Sequence, residues 1–486
     1  MTNFWDGDVW SLVTTLAILL VACLLVNILF NTFKFLRKLL LPVPVLAGFL
    51  VLAVILIYNL CVPDHVANPL MSTSTLEILT YHGLGIGFIA IALKHPTRKK
   101  SKINNTDVVN AGIITVSGYI LQGIVGLVIT LGLSYIVSGV FASSGMILPM
   151  GYGQGPGQAF IWGKNYEAYG FTNGASFGLA VASCGFIASA IGGAIYLSRI
   201  KHKQGINPDI LAELPEQRLN RTKASVSVDN LTIQCALIFL GYIITYLIMS
   251  GLFAIIKLIE PMGDGFFTKT VNPLIWGFNF LIGMVVGTVI KIIVIKIEDK
   301  KGIEILDDAL LNRVSGFSFD IMIVASMGAI SLSAFLNPEF ILPLSLICVA
   351  GGVITYFQVQ FCCKRLFPTY VNEAFLSMFG MLTGTASTGM ILLRQIDNEY
   401  NTPAANNLVY QSLYAIAFGF PLLLLMGLTP QDTLGVNGWA FLSLAIMVVM
   451  LAVYTVILFR KQIFKKKGLV LNASTDTQES SDQTTE

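Results

Sequence analysis

The sequence predicts an all-α integral membrane protein with about eleven transmembrane helices and two oppositely oriented re-entrant hairpins in an inverted repeat. Three observations predict it. Of 486 residues, 55% are hydrophobic and only 12% charged. A soluble domain carries roughly 25% charged residues, so too little polar surface remains to coat a water-soluble globule. The apolar residues come in runs of about twenty, the length that spans a bilayer core. Lysine and arginine gather in the short loops after alternate runs, as cytoplasmic loops do.

The apolar runs fall near residues 10–31, 40–62, 75–94, 108–137, 174–198, 231–259, 271–295, 314–336, 339–362, 405–428 and 437–459, here spans I to XI. The N-terminus has no basic segment before span I, while Lys34, Arg37 and Lys38 follow it. That order is the reverse of a cleaved signal peptide, so span I is expected to stay, starting outside. The loop around Asp64 lacks Lys and Arg and goes outside; Lys94, Arg98, Lys99, Lys100 and Lys102 bring the chain back inside. The next loop, near 138–145, is uncharged and goes outside.

Two further stretches, 146–166 and 374–396, are apolar but rich in Gly, Ser and Thr. If 146–166 crossed, span V would end outside, yet Arg199, Lys201, His202 and Lys203 follow it. If 374–396 crossed, Arg460, Lys461 and Lys465 would also fall outside. Both conflicts vanish if the first stretch dips in from outside and the second from the cytoplasm.

The halves match in order. Span II opens on Pro44 through Gly48 and span VII on Pro273 through Gly277. Span IV carries Gln122; span IX carries Gln358 and Gln360. The first dip reads Gly151-Tyr-Gly-Gln-Gly-Pro-Gly-Gln158 and the second Gly380-Met-Leu-Thr-Gly-Thr-Ala-Ser-Thr-Gly389. Interrupted segments at matching positions of an inverted repeat point to the substrate and ion site of secondary transporters. Irregular backbone at membrane depth frees carbonyls for a cation and half-helix N–H groups for an anion. The expected substrate-binding residues are therefore Gly153, Gln154, Gly155, Gly157, Gln158, Thr383, Gly384, Thr385, Ser387 and Thr388. The expected cation-coupling residues are Gln122, Asn173, Asp320 and Gln358. Asp320 is the clearest ionisable residue inside a span, where a charge costs on the order of 3 kcal/mol.

Other chemistries fit poorly. The seven cysteines sit almost wholly in apolar runs without metal spacing and read as core residues. Gly151-Tyr152-Gly153 lacks the Thr-Val that precedes it in a potassium filter, and the second dip has no such triplet. No His-Glu-x-x-His occurs and no acid pair is embedded in a span, so no enzyme activity is expected. Nothing points to an organic cofactor or to nucleic acid.

These residues also carry a resemblance to the bacterial sodium/glutamate symporter family. It rests on Phe35-Leu36-Arg37-Lys38 followed by Pro42 through Leu50, on Gln122, on Gly151 through Asn173, and on the Gly-Thr-rich run 380–391. It covers most of residues 10–428. The family's usual first hairpin reads Gly-Gly-His-Gly-Thr-Gly, whereas this chain has Tyr152, Gln154 and Pro156 among its glycines. The usual Ala-Thr-Pro-Thr of the second is here Thr385-Ala-Ser-Thr388, and span XI looks added. The resemblance implies ten spans, sodium coupling, a homodimer and an amino-acid anion as substrate.

The expectation is thus a secondary transporter in a bacterial inner membrane, N-terminus outside and C-terminus cytoplasmic. It would couple Na+, with H+ as the alternative, to symport of a small carboxylate-bearing solute such as glutamate or a related amino or organic acid. A passive channel or exporter is the rival. The expected partners are a small-molecule substrate, membrane lipid and a second copy of the chain. The layout is a first membrane repeat (1–198), a cytoplasmic linker (199–230), a second, inverted repeat (231–428), an extra C-terminal span (429–467) and a disordered cytoplasmic tail (468–486).

Overall fold

The computed structural model describes residues 3–4, 7–62, 69–95, 105–204, 229–261, 263, 265–398 and 400–482. Among them there is no β-strand. The chain begins with α1 (Gly7–Thr32), α2 (Lys34–Arg37), α3 (Val43–Cys61), α4 (Thr73–Leu93) and α5 (Asn105–Ser134). A 3-10 turn, Ala142–Ile147, leads into α6 (Leu148–Gly153), followed by α7 (Pro156–Glu167), α8 (Gly174–Gln204) and α9 (Asn230–Ile259). A π turn, Phe267–Val271, leads into α10 (Asn272–Gly277), α11 (Asn279–Lys301) and α12 (Asp308–Gly328). After a second 3-10 turn, Leu332–Leu336, come α13 (Pro338–Leu366), α14 (Val371–Thr383), α15 (Ala386–Arg394), α16 (Ala404–Leu428) and α17 (Gly438–Asp482).

Ten of these helices are long and apolar enough to cross a membrane, and α16 qualifies as a bent whole whose halves meet at 47°. A span needs about 20 residues, so α6, α7, α14 and α15, with 6, 12, 13 and 9, are too short to cross singly. Span VII differs from expectation: Pro273 through Gly277 form the separate helix α10, and the long helix starts only at Asn279, after Phe278 leaves helical geometry (φ −101°, ψ 27°). Span VIII starts six residues early, at Asp308, because the Asp307 side chain caps the N–H groups of Ala309 and Leu310. The helix from Gly438 runs on to Asp482, past the start of the expected tail. Most of the expected linker, 205–228, and the basic residues 98–102 lie outside the described residues.

The buried side chains fall into separate cores. The largest joins α5, α6, α8, α13, α14 and α16 through residues such as Tyr119, Tyr152, Phe177, Tyr356, Phe375 and Met426. A second is built by α1, α3, α4 and α12 and takes in Phe160 and Ile161 of α7. A third joins α4, α9, α11 and α12 around Ile89, Ile238 and Leu311. Glycines let the second core close: Gly83 packs against Met322 and Gly87 against the Phe319 ring, each leaving no room for a Cβ.

At one end of α4 sits a polar clasp. The His95 ring lies 3.1 Å from an Asp308 carboxylate oxygen and 3.3 Å from one of Glu298. Glu298 also accepts the backbone N–H groups of Ile305 and Leu306. Burial pulls the imidazole pKa down, but the carboxylates of Asp308 and Glu298 outweigh it and hold it above the ordinary 6.5. A histidine whose folded-state value is raised contributes stability in full below its unfolded value and loses it as pH climbs through the folded value. Thermal stability is expected to fall as pH is raised above about 6.5, and His95→Gln to flatten that fall; an unchanged pH slope in the variant would contradict the clasp.

Candidate functional site

Helix α8 serves as a ruler for depth. Gly174 packs on Gly163, and Gly178 on the Ala159 carbonyl, so α7 runs antiparallel to the first third of α8. Gly151 of α6 meets Val181 and Ala182. A Cβ on Gly185 would lie 2.6 Å from the Thr383 carbonyl oxygen and 3.0 Å from the Tyr152 ring. Further on, Gly192 faces Phe379 of α14, Gly193 faces Leu392 of α15, and Tyr196 stacks on Phe375 at 3.8 Å. Thus α6 and α7 share one half of α8, α14 and α15 the other, and the two breaks meet at Gly185.

The breaks touch. Gly155 has φ +81°, a left-handed conformation open to glycine, and a Cβ there would stand 3.0 Å from Cγ2 of Thr385. Pro156, which has no N–H to leave unpaired, starts α7. Across the contact, Thr385 is extended (φ −144°, ψ 171°) and precedes α15. Gly384 leaves room for Thr388, whose Oγ1 lies 3.3 Å from that of Thr385. Within the second pair the arms pack by backbone: Gly380 faces Gly389, and Gly389 the Ser377 carbonyl.

A polar frame from α5 and α13 braces both breaks. Tyr119 donates its hydroxyl to the Gly153 carbonyl at 3.0 Å and accepts from Nε2 of Gln154 at 3.1 Å. Fully buried Gln122 donates to Oγ1 of Thr355 at 2.8 Å and to the Leu382 carbonyl at 2.9 Å. Gln358 donates to Oγ of Ser117 at 3.2 Å and to the Ile114 carbonyl at 3.3 Å. Three buried amide atoms here have no protein partner: Oε1 of Gln122, Oε1 of Gln358 and Nε2 of Gln158. A buried amide group without a partner carries a desolvation penalty of about 1–3 kcal/mol, so each is a place where a ligand gains by binding.

Of the expected site residues, Gly153, Gln154, Gly155, Gly157, Gln158, Thr383, Gly384, Thr385 and Thr388 lie on the two breaks, with Gln122 and Gln358 behind them. Ser387 is exposed on the first turn of α15, as is Gln154 between α6 and α7. Two residues lie elsewhere. Asn173 makes the left-handed turn (φ 58°) before α8, where its carbonyl accepts from Phe177 N at 2.9 Å. At 1.5 Å per residue it is roughly 18 Å from Gly185. Asp320 is exposed on α12 and within electrostatic reach of Cys23 on α1. Met322, about 200° further round that helix, is the residue that meets Gly157. Sequence reasoning missed Tyr119 and Thr355. Tyr119 stands one turn before Gln122, and Thr355 one turn before Gln358, spacings that put each pair on one helix face.

The outer ends of the pairs are tied to opposite ends of α16. Ser143 donates to the Thr429 carbonyl at 3.1 Å and Tyr166 to that of Met426 at 2.9 Å. At the other end Tyr370, just before α14, donates to Asp107 at 2.9 Å and accepts from Asn407 at 2.8 Å. Lys164 of α7 bridges to Glu77 of α4 at 3.4 Å.

Among the described residues no group of three or more His, Cys, Asp or Glu side chains could hold a metal ion. No family model matches the chain, and no curated protein matches it.

Gln122→Leu removes both donors from the frame and orphans the Leu382 carbonyl. It is expected to destabilise the protein by about 1–3 kcal/mol, seen as a lower melting temperature in detergent. A variant as stable as the parent would show that Gln122 does not brace the second break.

Proposed function

We propose that the protein is an ion-coupled secondary transporter of a small carboxylate-bearing solute, working by alternating access. The observation that carries this reading is the meeting of two broken helix pairs, Gly155 against Thr385, between the halves of α8. Each pair is read as a re-entrant hairpin. The ties to opposite ends of α16 support entry from opposite faces: Thr429 and Met426 for the first, Asn407 by way of Tyr370 for the second. An inverted repeat is supported by the order of helix, hairpin, helix in α5 to α8 and in α13 to α16. Gln122 pairs with Thr355, while Gln358 reaches back to Ser117 and Ile114, so α5 and α13 run antiparallel.

The chemistry at the breaks suits an anion and a cation together. Helices α7 and α15 both begin at the contact. Their first intrahelical bonds run from Ala159 N to Gly155 O and from Gly389 N to Thr385 O. The earlier N–H groups of Gly157, Gln158, Ala386, Ser387 and Thr388 therefore have no helix acceptor. Those groups and the positive helix ends attract a carboxylate, and the unpartnered Nε2 of Gln158 adds a donor. Helices α6 and α14 end at the same contact, so their last carbonyls present the negative end. The unpartnered Oε1 of Gln122 lies beside them. Sodium is the coupling ion such oxygens favour, with the proton as alternative.

Access alternates if the body carrying both hairpins moves against α1, α3, α4 and α12, sliding where Phe160 and Ile161 of α7 pack on them. The surface between them is suited to it: Gly157 presents no side chain to Leu84 and Met322, and Lys164 to Glu77 is a partly exposed tie that is readily exchanged.

Uptake into proteoliposomes tests the reading. Glutamate or a related acid is expected to accumulate with an inward sodium gradient. Gly155→Ala, which strains the left-handed turn and crowds Thr385, is expected to cut uptake more than tenfold; Thr385→Ser should keep most of it. Uptake indifferent to both sodium and proton gradients, or a current that flows without solute, would sink the proposal.

The topology has its own test. With the native cysteines replaced, Ala168→Cys, exposed at the end of α7, should react with an impermeant thiol reagent from outside and Thr369→Cys, exposed just before α14, from inside. Labelling of both from one face would rule out oppositely entering hairpins.

A further inference from the structure

Between α8 and α13 runs a groove of about 570 Å³ that takes no part in the site above. Its rims are two apolar stripes, Ile187, Ile191 and Ile195 on α8 and Val349, Val353 and Phe357 on α13. These residues recur every fourth position, so they line one face of each helix. All six are exposed, Ile191 at 57% and Val349 at 69%. Both helices are long and apolar enough to span a bilayer, so the medium against these rims is hydrocarbon rather than water.

The floor is dry. Tyr152 lies there, but its hydroxyl is used, donating to the Cys348 carbonyl at 2.5 Å. Phe379 of α14 and Gly352 complete it, the glycine giving depth where a side chain would fill the groove. The groove reaches along α13 from Ser345 to Phe357, about 18 Å at 1.5 Å per residue. That is close to one leaflet of a hydrocarbon core about 30 Å thick.

One end is cationic. Arg199 closes the groove with its guanidinium 3.1 Å from the Tyr356 hydroxyl and 5.8 Å from the centre of that ring. Among the described residues no carboxylate lies within ion-pair distance of it. Lys201, His202 and Lys203 follow directly in the sequence, marking this as the cytoplasmic end.

We infer that this groove is a binding site for an anionic phospholipid of the cytoplasmic leaflet, with one acyl chain lying between α8 and α13 and the phosphate on Arg199. A hydrocarbon chain matches the apolar rims, the used-up polar floor and the length. The guanidinium, with no carboxylate against it among the described residues, selects the negative charge, and its planar fork suits a phosphate. The chain would lie against Tyr152, two residues before the first break, and against Phe379 in the second pair. On the transport reading, the lipid therefore backs both hairpins.

Lipid retention tests the site without reference to transport. The full-length protein, purified in detergent, is offered phosphatidylglycerol or phosphatidylcholine, and bound lipid is counted by native mass spectrometry. Phosphatidylglycerol should be retained preferentially. Arg199→Gln should reduce its retention about fivefold, the factor matching about 1 kcal/mol per basic residue at an anionic surface, while Arg199→Lys keeps most of it. Val353→Trp, at an exposed rim position that tolerates size, should block the groove and lower retention of both lipids. Equal retention of the two lipids by the parent, or a preference unchanged in both Arg199→Gln and Val353→Trp, would overturn the assignment.

Discussion

Backbone that leaves helical geometry inside a bilayer must find partners within the protein or line a polar cavity. Everything at the centre of this molecule answers to that constraint. The chain breaks at Gln154–Gly155 and again at Gly384–Thr385, both at the level of Gly185. The carbonyls freed there are met by Tyr119 at Gly153 and by Gln122 at Leu382. Placing the breaks together lets one frame, drawn from α5 and α13, serve both. Separate breaks would each need their own set of buried polar side chains, and each such set is costly in a low-dielectric interior.

Close packing follows from the same setting. Lipid tails are as apolar as leucine, so helices in a bilayer gain little by burying leucine and gain most by close backbone approach. The pairs Gly126–Gly145, Gly163–Gly174 and Gly380–Gly389 bring main chain to main chain, with no room for a Cβ. These contacts fix the first 3-10 turn to α5, α7 to α8, and α14 to α15. The second core uses glycine differently, as a socket for methionine and phenylalanine at Gly48, Gly83 and Gly87. Between the cores, Gly157 meets the ends of Leu84 and Met322. Backbone-on-backbone packing thus lies inside the body that holds the site, and flexible side-chain tips lie on its boundary.

Much of this was legible in the sequence. Spans of about twenty apolar residues separated by basic loops leave little freedom, and ten long apolar helices and a bent eleventh follow them. The glycine-rich stretches stood out because glycine and proline at 151–157 cannot continue an ordinary helix. Their contact partners were not legible. Nothing in the composition of α5 says that Tyr119 rather than Gln122 takes the first break; that depends on a helical phase fixed by Gly126 against Gly145. Asp320 stands out in the sequence because a lone acid in an apolar run suggests function whichever way the helix turns. Its rotation is decided by Gly83, which seats Met322 against α4 and so turns Asp320 outward. Asn173 is ambiguous for a different reason: its residue type suits a left-handed turn as well as a ligand, and it makes the turn before α8.

With Asp320 turned away, the residues at the breaks are all uncharged, and on the proposed reading this has a mechanistic consequence. A fixed ionised side chain would have to be moved with the hairpins in every half-cycle, loaded or empty. A site of amides, hydroxyls and helix ends carries no net charge when empty, so the empty protein reorients without a penalty from the membrane potential. Loaded with one carboxylate and one cation, it is again neutral. A second cation makes the loaded form positive, and only that form then feels the potential, by about 2.3 kcal/mol per 100 mV. That energy alone corresponds to roughly fifty-fold accumulation, since about 1.4 kcal/mol is a factor of ten. On that reading, neutral lining would put the whole effect of voltage on the step that carries solute inward, which a permanently charged site could not do.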